Sequence, residues 1–387
     1  MKFFRTTLQA FLAISILLAL ISSVTKEEQN LIKPSDPNIQ YTGRIDFSDK
    51  DKPSFSYPGI SIKARFEGNN IEVFLQEHGQ GGDRGTNYFN VTIDGKVHSV
   101  LQLSSNKKNY KIENLSEGIH TIELFKRTEA EVGPCSFLGF VLPSGKALLK
   151  PEEKPARKIE FIGDSFTCGY GNELSIAAPP AGNPNTGFNS KNENNYNAWG
   201  AITCRTLNAQ YHCTAYSGRG LYRNNTGSKE NVMPDIYDRI FPDKSSPEWK
   251  TENFIPDVVV INLGTNDFYP ESLPNPDKVD SAAFAKKYIS FIGKLRKHYP
   301  EATIVCVVPN AISDWWPEKA MWLTRFKRYL SSVVDNVNNA GDKKVFYFQL
   351  TPQSPPYGED WHASIPTHEK MAKEITPFIR EKMKWSE

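Results

Sequence analysis

A serine follows a short apolar run at residues 159–162, the pattern of a buried strand that ends at Gly163. Asp164 and Ser165 come directly after it, so a hydroxyl lies where a strand passes into a loop or helix. Open α/β sheets bind ligands at the carboxyl ends of their strands. Gly-Asp-Ser also serves as a turn or a helix cap, so Ser165 is a candidate nucleophile only if the chain supplies a base and an oxyanion hole.

Two further stretches at predicted strand ends offer hydrogen-bond donors. Gly218 lies in Thr-Ala-Tyr-Ser-Gly-Arg-Gly, where glycines let the backbone approach a ligand and present an amide; Gly220 is the alternative donor. Asn266 lies in Gly-Thr-Asn-Asp, directly after an apolar run, and its carboxamide can donate to developing negative charge. We therefore expect an oxyanion hole formed by the Ser165 amide, the Gly218 amide and the Asn266 side chain.

His362 is the candidate base. It lies in Gly-Glu-Asp-Trp-His-Ala-Ser, after the last predicted strand, and is the only histidine closely preceded by two adjacent acidic residues. A serine hydroxyl becomes a good nucleophile when a base within hydrogen-bond reach removes its proton, and a neutral histidine suits that task. A serine, a base and oxyanion donors together predict acyl transfer. Removal of one oxyanion donor typically raises the activation free energy of such a reaction by about 2.7–4 kcal/mol.

The elements that position these residues fall into two regions. Residues 39–145 show short apolar runs, some alternating with polar residues, separated by turns and without a helical stretch, which predicts an antiparallel β-sandwich. Asp94-Gly95 is a strong hairpin signal. The predicted strands span residues 60–66, 71–75, 88–93, 97–103, 119–125 and 137–142.

Beyond a Pro- and Lys-rich linker at residues 146–156, strands alternate with helices over residues 157–387. This alternation predicts a parallel sheet with helices on both faces. No glycine-rich phosphate-binding loop follows any of these strands. The predicted strands span residues 159–162, 256–263, 302–308 and 345–350, and the predicted helices span residues 198–207, 281–298, 320–337 and 365–383.

The N-terminus has the pattern of a secretory signal. Lys2 and Arg5 precede an apolar run at residues 8–21, which ends at Ser22 and Ser23. We predict a signal peptide over residues 1–24, a linker over 25–38, and a secreted protein that is free of the membrane once the signal is removed. A retained signal anchor is the alternative.

Composition bounds the partners. With 387 residues and a net charge of +2, the chain is long enough for two domains and shows no basic surface of the kind that binds nucleic acid. Five cysteines leave at least one unpaired; Cys204 and Cys213 could pair, or the thiols could be free and buried. No zinc-site spacing is present. We expect that the chemistry needs neither a metal nor an organic cofactor, and we expect a monomer.

The four blocks around Ser165, Gly218, Asn266 and His362 resemble those of SGNH (GDSL-type) hydrolases, in the same order. A closer resemblance is to carbohydrate esterase family 2, whose members join a jelly-roll β-sandwich to a three-layer α/β/α SGNH domain. The resemblance implies deacetylation of acetylated xylan or glucomannan. It rests on Tyr-Thr-Gly-Arg at residues 41–44, Tyr-Phe-Asn-Val-Thr-Ile-Asp-Gly at 88–95, Lys-Arg-Thr-Glu-Ala at 126–130 and Gly-Asp-Ser-Phe-Thr-Cys-Gly-Tyr-Gly at 163–171.

The third catalytic residue is where the chain departs from the SGNH pattern. Many of these hydrolases place an aspartate three residues before the histidine, and here Glu359 takes that position, with Asp360 two residues before. We predict Asp360 as the residue that orients His362. Glu359 and a backbone carbonyl that accepts from Nδ1–H remain alternatives.

Exposed aromatic rings suggest how a sugar would bind. Trp361, next to the base, could stack on a pyranoside face, and Trp315 and Trp316 are candidates for the cleft wall. Two other functions remain open: a polysaccharide-binding protein with a vestigial site, and a GDSL-type lipase or thioesterase. The sequence does not indicate which polymer or which hydroxyl position would be the substrate.

Overall fold

The computed structural model describes residues 30–386, so the predicted signal peptide lies outside the described residues. The first part folds into two antiparallel five-stranded sheets, with one short helix. Its elements are β1 (Asn30–Ile32), β2 (Gln40–Thr42), β3 (Ser54–Phe55), β4 (Ser61–Glu67), β5 (Ile71–Glu77), α1 (Gly82–Gly85), β6 (Tyr88–Ile93), β7 (Lys96–Gln102), β8 (Asn109–Ile112), β9 (Ile119–Lys126) and β10 (Cys135–Leu142).

The two sheets pack face to face around one apolar core. One sheet has the order β1-β10-β5-β8, with β3 paired to β10, and the other has the order β2-β4-β9-β6-β7. Alternate residues of β4 are buried, as the period of the sequence predicts. Asp94 and Gly95 both have positive φ (52° and 77°) between β6 and β7, as the favoured two-residue hairpin turns require. The predicted β-sandwich is confirmed.

Four short strands of this part, β1, β2, β3 and β8, are absent from the sequence-based assignment. β1 lies inside the predicted linker over residues 25–38, yet it pairs with β10 from Asn30 opposite Leu142 to Ile32 opposite Phe140. That part of the linker prediction is wrong, because a three-residue edge strand that buries only Ile32 leaves almost no apolar periodicity. β8 was not predicted, because Asn109–Ile112 follows a polar stretch and buries only two side chains.

The second part alternates strands and helices, and its strands are parallel. Its elements are β11 (Arg157–Gly163), α2 (Ser165–Cys168), α3 (Trp199–Thr206), β12 (Ala209–Ala215), α4 (Met233–Ile236), β13 (Val258–Asn262), α5 (Thr265–Phe268), α6 (Ser281–His298), β14 (Thr303–Val308), α7 (Trp322–Asn339), β15 (Val345–Gln349) and α8 (Ile365–Met383).

The parallel sheet has the order β12-β11-β13-β14-β15 and is covered on both faces. Along β13 successive side chains alternate between two apolar clusters, one with α6 and α7 and the other with α3 and α8. This is the α/β/α arrangement expected from the strand and helix pattern, and the predicted fold class is confirmed. Because β11 has a neighbour on each side, the turn that follows it is rigidly supported.

The two parts contact each other through buried polar groups. Arg44, from the loop after β2, reaches Glu160 of β11 at 3.2 Å, and both side chains are fully buried. The Glu160 carboxylate also accepts from Thr214 Oγ1 at 2.7 Å and from the Tyr237 hydroxyl at 2.7 Å. The pair therefore fixes the sandwich against the strand that leads to Ser165.

The described residues settle the question of cysteine pairing. All five cysteines are free and buried, so Cys204 and Cys213 do not form a disulfide. Within residues 30–386 no helix has the length and apolar content needed to cross a membrane.

Candidate active site

The candidate nucleophile lies at the carboxyl edge of the sheet. β11 ends at Gly163, and Asp164 caps the short helix α2 by accepting a hydrogen bond from the Phe166 amide at 3.1 Å. Ser165 is the first residue of that helix. The side chain of Asp164 thus shapes the turn, and the Ser165 hydroxyl is presented beyond the end of the central strand.

Ser165 and His362 form a hydrogen-bonded pair although they are far apart in the sequence. The Ser165 Oγ lies 2.8 Å from His362 Nε2. On the other side of the ring, His362 Nδ1 lies 3.0 Å from the backbone carbonyl oxygen of Glu359. A carbonyl only accepts, so this network assigns the ring proton to Nδ1 and leaves the Nε2 lone pair facing the hydroxyl.

Aromatic rings enclose the His362 imidazole. The Tyr170 ring stacks on it with centroids 4.1 Å apart and an interplanar angle of 25°, and the Phe166 ring centroid lies 4.9 Å away. Burial disfavours the charged imidazolium and lowers the pKa of His362 to about 4, against the smaller opposing effects of the Glu359 carbonyl and the Asp360 charge. The imidazole is therefore neutral, and able to accept a proton, at pH 7.

Asp360 does not occupy the predicted position beside the imidazole. Its carboxylate accepts from the Tyr170 hydroxyl at 2.8 Å and from the backbone amides of Thr186 and Gly187 at 3.1 and 2.9 Å. The physical reason is the local backbone, because Asp360 has a positive φ of 47° inside the turn before His362. The structure thus does not support Asp360 as the direct orienting residue; it fixes a loop and the ring that covers the base.

Glu359 orients His362 only through its main chain. Its side-chain oxygens accept from the Asn189 amide at 3.0 Å and from Asn192 Nδ2 at 2.6 Å. The sequence left three candidates for the group that orients His362. In the structure the group that contacts Nδ1 is the backbone carbonyl of Glu359. Both acidic side chains instead hold the loop over residues 184–192 against the site.

Two backbone amides are available as oxyanion donors. Within residues 30–386 neither the Ser165 amide nor the Gly218 amide has a hydrogen-bond acceptor. The Gly220 amide, the alternative donor, is occupied, because it donates to Asn224 Oδ1 at 3.2 Å. Gly218 has φ of +74°, and a Cβ there would lie 3.2 Å from the Asn225 side chain, so both backbone and space favour glycine.

Asn266 links the nucleophile turn to the Gly218 stretch. Its Nδ2 donates to Asp164 Oδ2 at 3.2 Å and to the Arg219 carbonyl oxygen at 3.0 Å. The structure therefore brings the predicted donor between the residues that flank Ser165 and Gly218. Both of its amide hydrogens have acceptors, so a contact with an oxyanion would share one of them.

Asp267 organises the rest of the oxyanion loop, which we define as residues 216–223. Its carboxylate accepts from the amides of Leu221, Tyr222 and Arg223 at 2.9, 2.6 and 3.0 Å. Burial raises the pKa of Asp267 to about 6, although these three amides oppose that shift. Burial and the nearby Asp267 raise the pKa of Asp164 to about 7.

The three candidate sugar-binding tryptophans are all exposed. Trp361 is 39% exposed, and its indole Nε1 donates to Asn185 Oδ1 at 2.8 Å, which fixes the ring next to His362. Trp315 and Trp316 are 64% and 51% exposed and lie in the loop after β14, at the same edge of the sheet as Ser165. All three rings are therefore available for contact with a ligand.

Sequence reasoning missed several residues around the site. Tyr170 lies in the motif at residues 163–171, but its contacts with His362 and Asp360 depend on the folded loop. Glu129, Cys168 and Glu193 were also missed; their side-chain donor atoms lie within 4.8 Å of one another, so they could hold a metal ion. Ser217 already donates two hydrogen bonds to the Glu129 carboxylate, and burial raises the pKa of the Cys168 thiol well above its usual range.

A Ser–His pair at the carboxyl edge of a parallel sheet, beside two free amides, is typical of hydrolases of the SGNH class. Comparison with known families agrees with this class. The model of the GDSL-like Lipase/Acylhydrolase family matches residues 161–369, and the Carbohydrate esterase 2 N-terminal model matches residues 41–151. The chain belongs to carbohydrate esterase family 2.

Similar proteins include the cellulase/esterase CelE of Acetivibrio thermocellus, 37% identical over 94% of this chain, which spans only 41% of that protein. An acetylxylan esterase/glucomannan deacetylase of Cellvibrio japonicus is 28% identical over 92% of this chain and 91% of its own length. A solved family two carbohydrate esterase from Clostridium thermocellum, in complex with cellohexaose, superposes with a TM-score of 0.78 at 35% identity, over 90% of this chain and 100% of that chain.

Proposed function

We propose that this protein is a secreted serine esterase that removes O-acetyl groups from plant cell-wall polysaccharides such as acetylated xylan and glucomannan. The observation that carries the proposal is the 2.8 Å contact between Ser165 Oγ and His362 Nε2 beside the free amides of Ser165 and Gly218. Nucleophile, base and oxyanion donors all come from the chain itself.

Acylation begins with the neutral imidazole of His362, which takes the Ser165 proton as Oγ attacks the acetyl carbonyl carbon. The carbonyl oxygen becomes an oxyanion, held by the amides of Ser165 and Gly218 and by Asn266. The imidazolium keeps its orientation because Nδ1–H donates to the Glu359 carbonyl. It then gives its proton to the sugar oxygen, which leaves as a hydroxyl.

Deacylation repeats these roles with water. His362 takes a proton from a water molecule, the hydroxide attacks the acetyl carbon on Ser165, and the oxyanion returns to the same donors. Collapse breaks the bond between the acetyl carbon and Ser165 Oγ, the proton held by His362 returns to Oγ, and the acetic acid that leaves ionises to acetate in solvent. No step requires a metal, so we expect acetate release to continue in the presence of EDTA.

The substrate class is supported by the relatives and by the exposed rings. A similar protein is named an acetylxylan esterase/glucomannan deacetylase, and a solved relative holds cellohexaose. Trp361 offers an indole face next to the base, which suits the C–H face of a pyranoside. These observations favour an ester on a sugar over a long-chain acyl ester, for which a lipase or thioesterase would need an apolar groove.

The Ser165→Ala variant tests the activity. We expect acetate release from acetylated xylan and glucomannan to fall to background, with the thermal unfolding temperature close to that of the wild type. The Asn189 side chain accepts a hydrogen bond from the Lys191 amide at 3.2 Å, and Asn189→Ala is a polar control that should retain most activity. Acetate release by Ser165→Ala at the wild-type rate would refute the mechanism.

Glycan binding without turnover is the second candidate, favoured by Trp361 and by the cellohexaose complex of the relative. It predicts that Trp361→Ala abolishes affinity for cellohexaose. It also predicts that neither the wild type nor any variant releases acetate. Acetate release by the wild type would exclude a purely binding function.

Secretion is the third part of the proposal and rests on the N-terminal sequence pattern alone. The mature extracellular protein should begin near residue 25, which N-terminal sequencing of the protein recovered from culture medium would show. Recovery of the full-length chain in the membrane fraction would instead indicate a retained anchor.

A further inference from the structure

One segment of the β-sandwich enters the α/β part and reaches the site from behind. It runs from Lys126, the last residue of β9, to Ala130, which is buried in the apolar cluster of α6 and α7. Arg127 anchors the segment by donating from Nε to the Glu193 carbonyl at 3.2 Å. Between these anchors the side chain of Glu129 is completely buried.

The Glu129 carboxylate contacts the oxyanion loop. Its Oε2 accepts from the Ser217 amide at 2.7 Å, and its Oε1 accepts a short hydrogen bond from the Ser217 hydroxyl. Ser217 directly precedes Gly218, whose amide is one of the two free donors. A bidentate contact with Ser217 therefore fixes the peptide that leads into the donor.

The same carboxylate also contacts the nucleophile helix. Glu129 Oε2 lies 3.7 Å from the Cys168 thiol, which donates to it. Cys168 is the last residue of α2, whose first residue is Ser165. One side chain of the sandwich thus contacts both elements that present the free oxyanion donors.

Burial and hydrogen bonds act in opposite directions on the charge of Glu129. Burial raises the pKa of Glu129 to about 7 and also raises the pKa of Glu193. Glu129, with two donors on Ser217 and one on Cys168, is the better site for the negative charge of the two. The buried ammonium of Lys126, which lies 3.3 Å from the Glu129 carbonyl oxygen, supplies a nearby positive charge.

We propose that Glu129 is a positioning residue through which the β-sandwich sets the oxyanion hole, holding the Gly218 amide in register with the Ser165 amide. This inference rests on the proposed esterase function. A carboxylate is an unfavourable residue to bury unless its oxygens are satisfied, and here the groups that satisfy it belong to the loop and helix that present the donors. Displacement of a donor from the oxyanion weakens stabilisation of the transition state more than it weakens substrate binding.

The test is Glu129→Gln, which keeps the size of the side chain but presents an NH₂ group to one of the donors. We expect kcat for acetate release to fall about tenfold or more while KM changes less than about twofold, because the oxyanion forms only in the transition state. Methylboronic acid, which forms a tetrahedral adduct with the serine and places an oxygen in the hole, should lose affinity by a similar factor.

Two further variants, a control and a second test, accompany Glu129→Gln. Glu131→Gln removes an exposed carboxylate two residues away and should match the wild type in kcat and in boronate affinity. Ser217→Ala removes the hydroxyl contact but keeps the amide contact, so it should lower kcat and boronate affinity together by a smaller factor. If Glu129→Gln does not fold, Ser217→Ala decides the question, because an unchanged kcat in that variant would overturn the proposal.

Failure of this inference differs from failure of the esterase function. Wild-type kcat in a folded Glu129→Gln variant would overturn the positioning role, and so would a lower kcat with unchanged boronate affinity. In both cases Ser165→Ala would still be inactive. Acetate release that survives Ser165→Ala would instead overturn the esterase mechanism itself.

Discussion

The base at this site is oriented by a main-chain carbonyl rather than by a side chain. The Glu359 carbonyl can hold the Nδ1–H tautomer of His362, as an aspartate does in a serine–histidine–aspartate triad, but it brings no full negative charge. The Asp360 side chain acts on the imidazole through its charge and through its contact with Tyr170. The geometry is therefore that of a Ser–His pair whose histidine contacts no acidic side chain directly, which favours a dyad in the proposed mechanism.

The Asp360→Asn variant tests whether the site works as a Ser–His dyad or as a triad that includes Asp360. We expect kcat to stay within about tenfold of the wild type, because the Glu359 carbonyl is untouched, whereas the same change in a triad costs about 10⁴-fold. Steady-state acetate release at pH 7 measures it. A loss of several thousand-fold in a folded variant would show that the carboxylate orients the base after all.

The pH dependence follows from the lowered pKa of His362. The base must be neutral, so kcat/KM should stay level from pH 7 down to about 5 and fall as the pH approaches the pKa of about 4. Since the Asp360 charge raises this pKa, Asp360→Asn should move the acid limb to still lower pH. Thermal unfolding at each pH is the control, and an acid limb near 6.5 in the stable protein would contradict this assignment.

Residue type and position after a strand were enough to predict Ser165, Gly218, Asn266 and His362 as neighbours. The orienting group was not predictable, because two carboxylates and a carbonyl lie within reach of the imidazole along the chain. The choice depends on the positive φ of Asp360, which turns its carboxylate towards Tyr170. Such a backbone angle is determined by the folded turn and not by local sequence.

The oxyanion loop depends on carboxylates beneath it. Asp267, in α5, accepts from three successive amides of the loop, and Asn266 beside it contacts the Arg219 carbonyl. Gly264, which precedes this helix with φ of +132°, packs so closely on Phe326 that a Cβ would lie 2.1 Å from its ring. The Gly-Thr-Asn-Asp block thus positions the loop and also carries Asn266, the proposed donor.

Asp267→Asn should disrupt this support. An amide group in place of an oxygen would face backbone donors, leaving at least one buried N–H without an acceptor at a cost of about 1–3 kcal/mol. We expect a lower free energy of unfolding in urea and a fall in kcat at least as large as the fraction of unfolded protein explains. Asp280→Asn, at the start of α6, is the control for the loss of an exposed carboxylate. Wild-type kcat and stability in Asp267→Asn would contradict this role.

Most long elements were predicted from periodicity, whereas the seven-residue strand β12 and the short strands were not. α6 and α8 begin and end where their apolar faces predicted, since their buried residues recur at helical spacing. β1 and β8 were missed because three or four residues carry too little periodicity, and their pairing with β10 and β5 decides their structure. α2, with four residues, is likewise fixed by its cap and not by its propensity.

At the scale of the whole molecule, the sandwich is joined to the α/β part by buried charges. Arg44 reaches Glu160 and lies over the Tyr237 ring at 4.6 Å, and Glu129 reaches Ser217. Both residues lie in motifs that supported the family resemblance, but the sequence did not predict their contacts. A single sequence does not show which residues of two predicted domains touch. The N-terminal part is therefore a structural component of the site.

Arg44→Met tests this connection. It leaves the Glu160 carboxylate buried without its ion-pair partner, which typically costs about 3–5 kcal/mol. We expect a lower urea midpoint for the whole chain, and the double variant Arg44→Met/Glu160→Gln should recover part of the loss because no lone charge remains. Equal stability of Arg44→Met and the wild type would contradict the role of the pair.

The most direct test of the central claim is to identify the acetylated residue. Enzyme mixed with p-nitrophenyl acetate and quenched in acid during the first turnover should carry one acetyl group on the peptide that contains Ser165, as peptide mass spectrometry would show, and Ser165→Ala should carry none. Turnover without an acetyl group on Ser165, or with the group on another residue, would contradict the proposed mechanism.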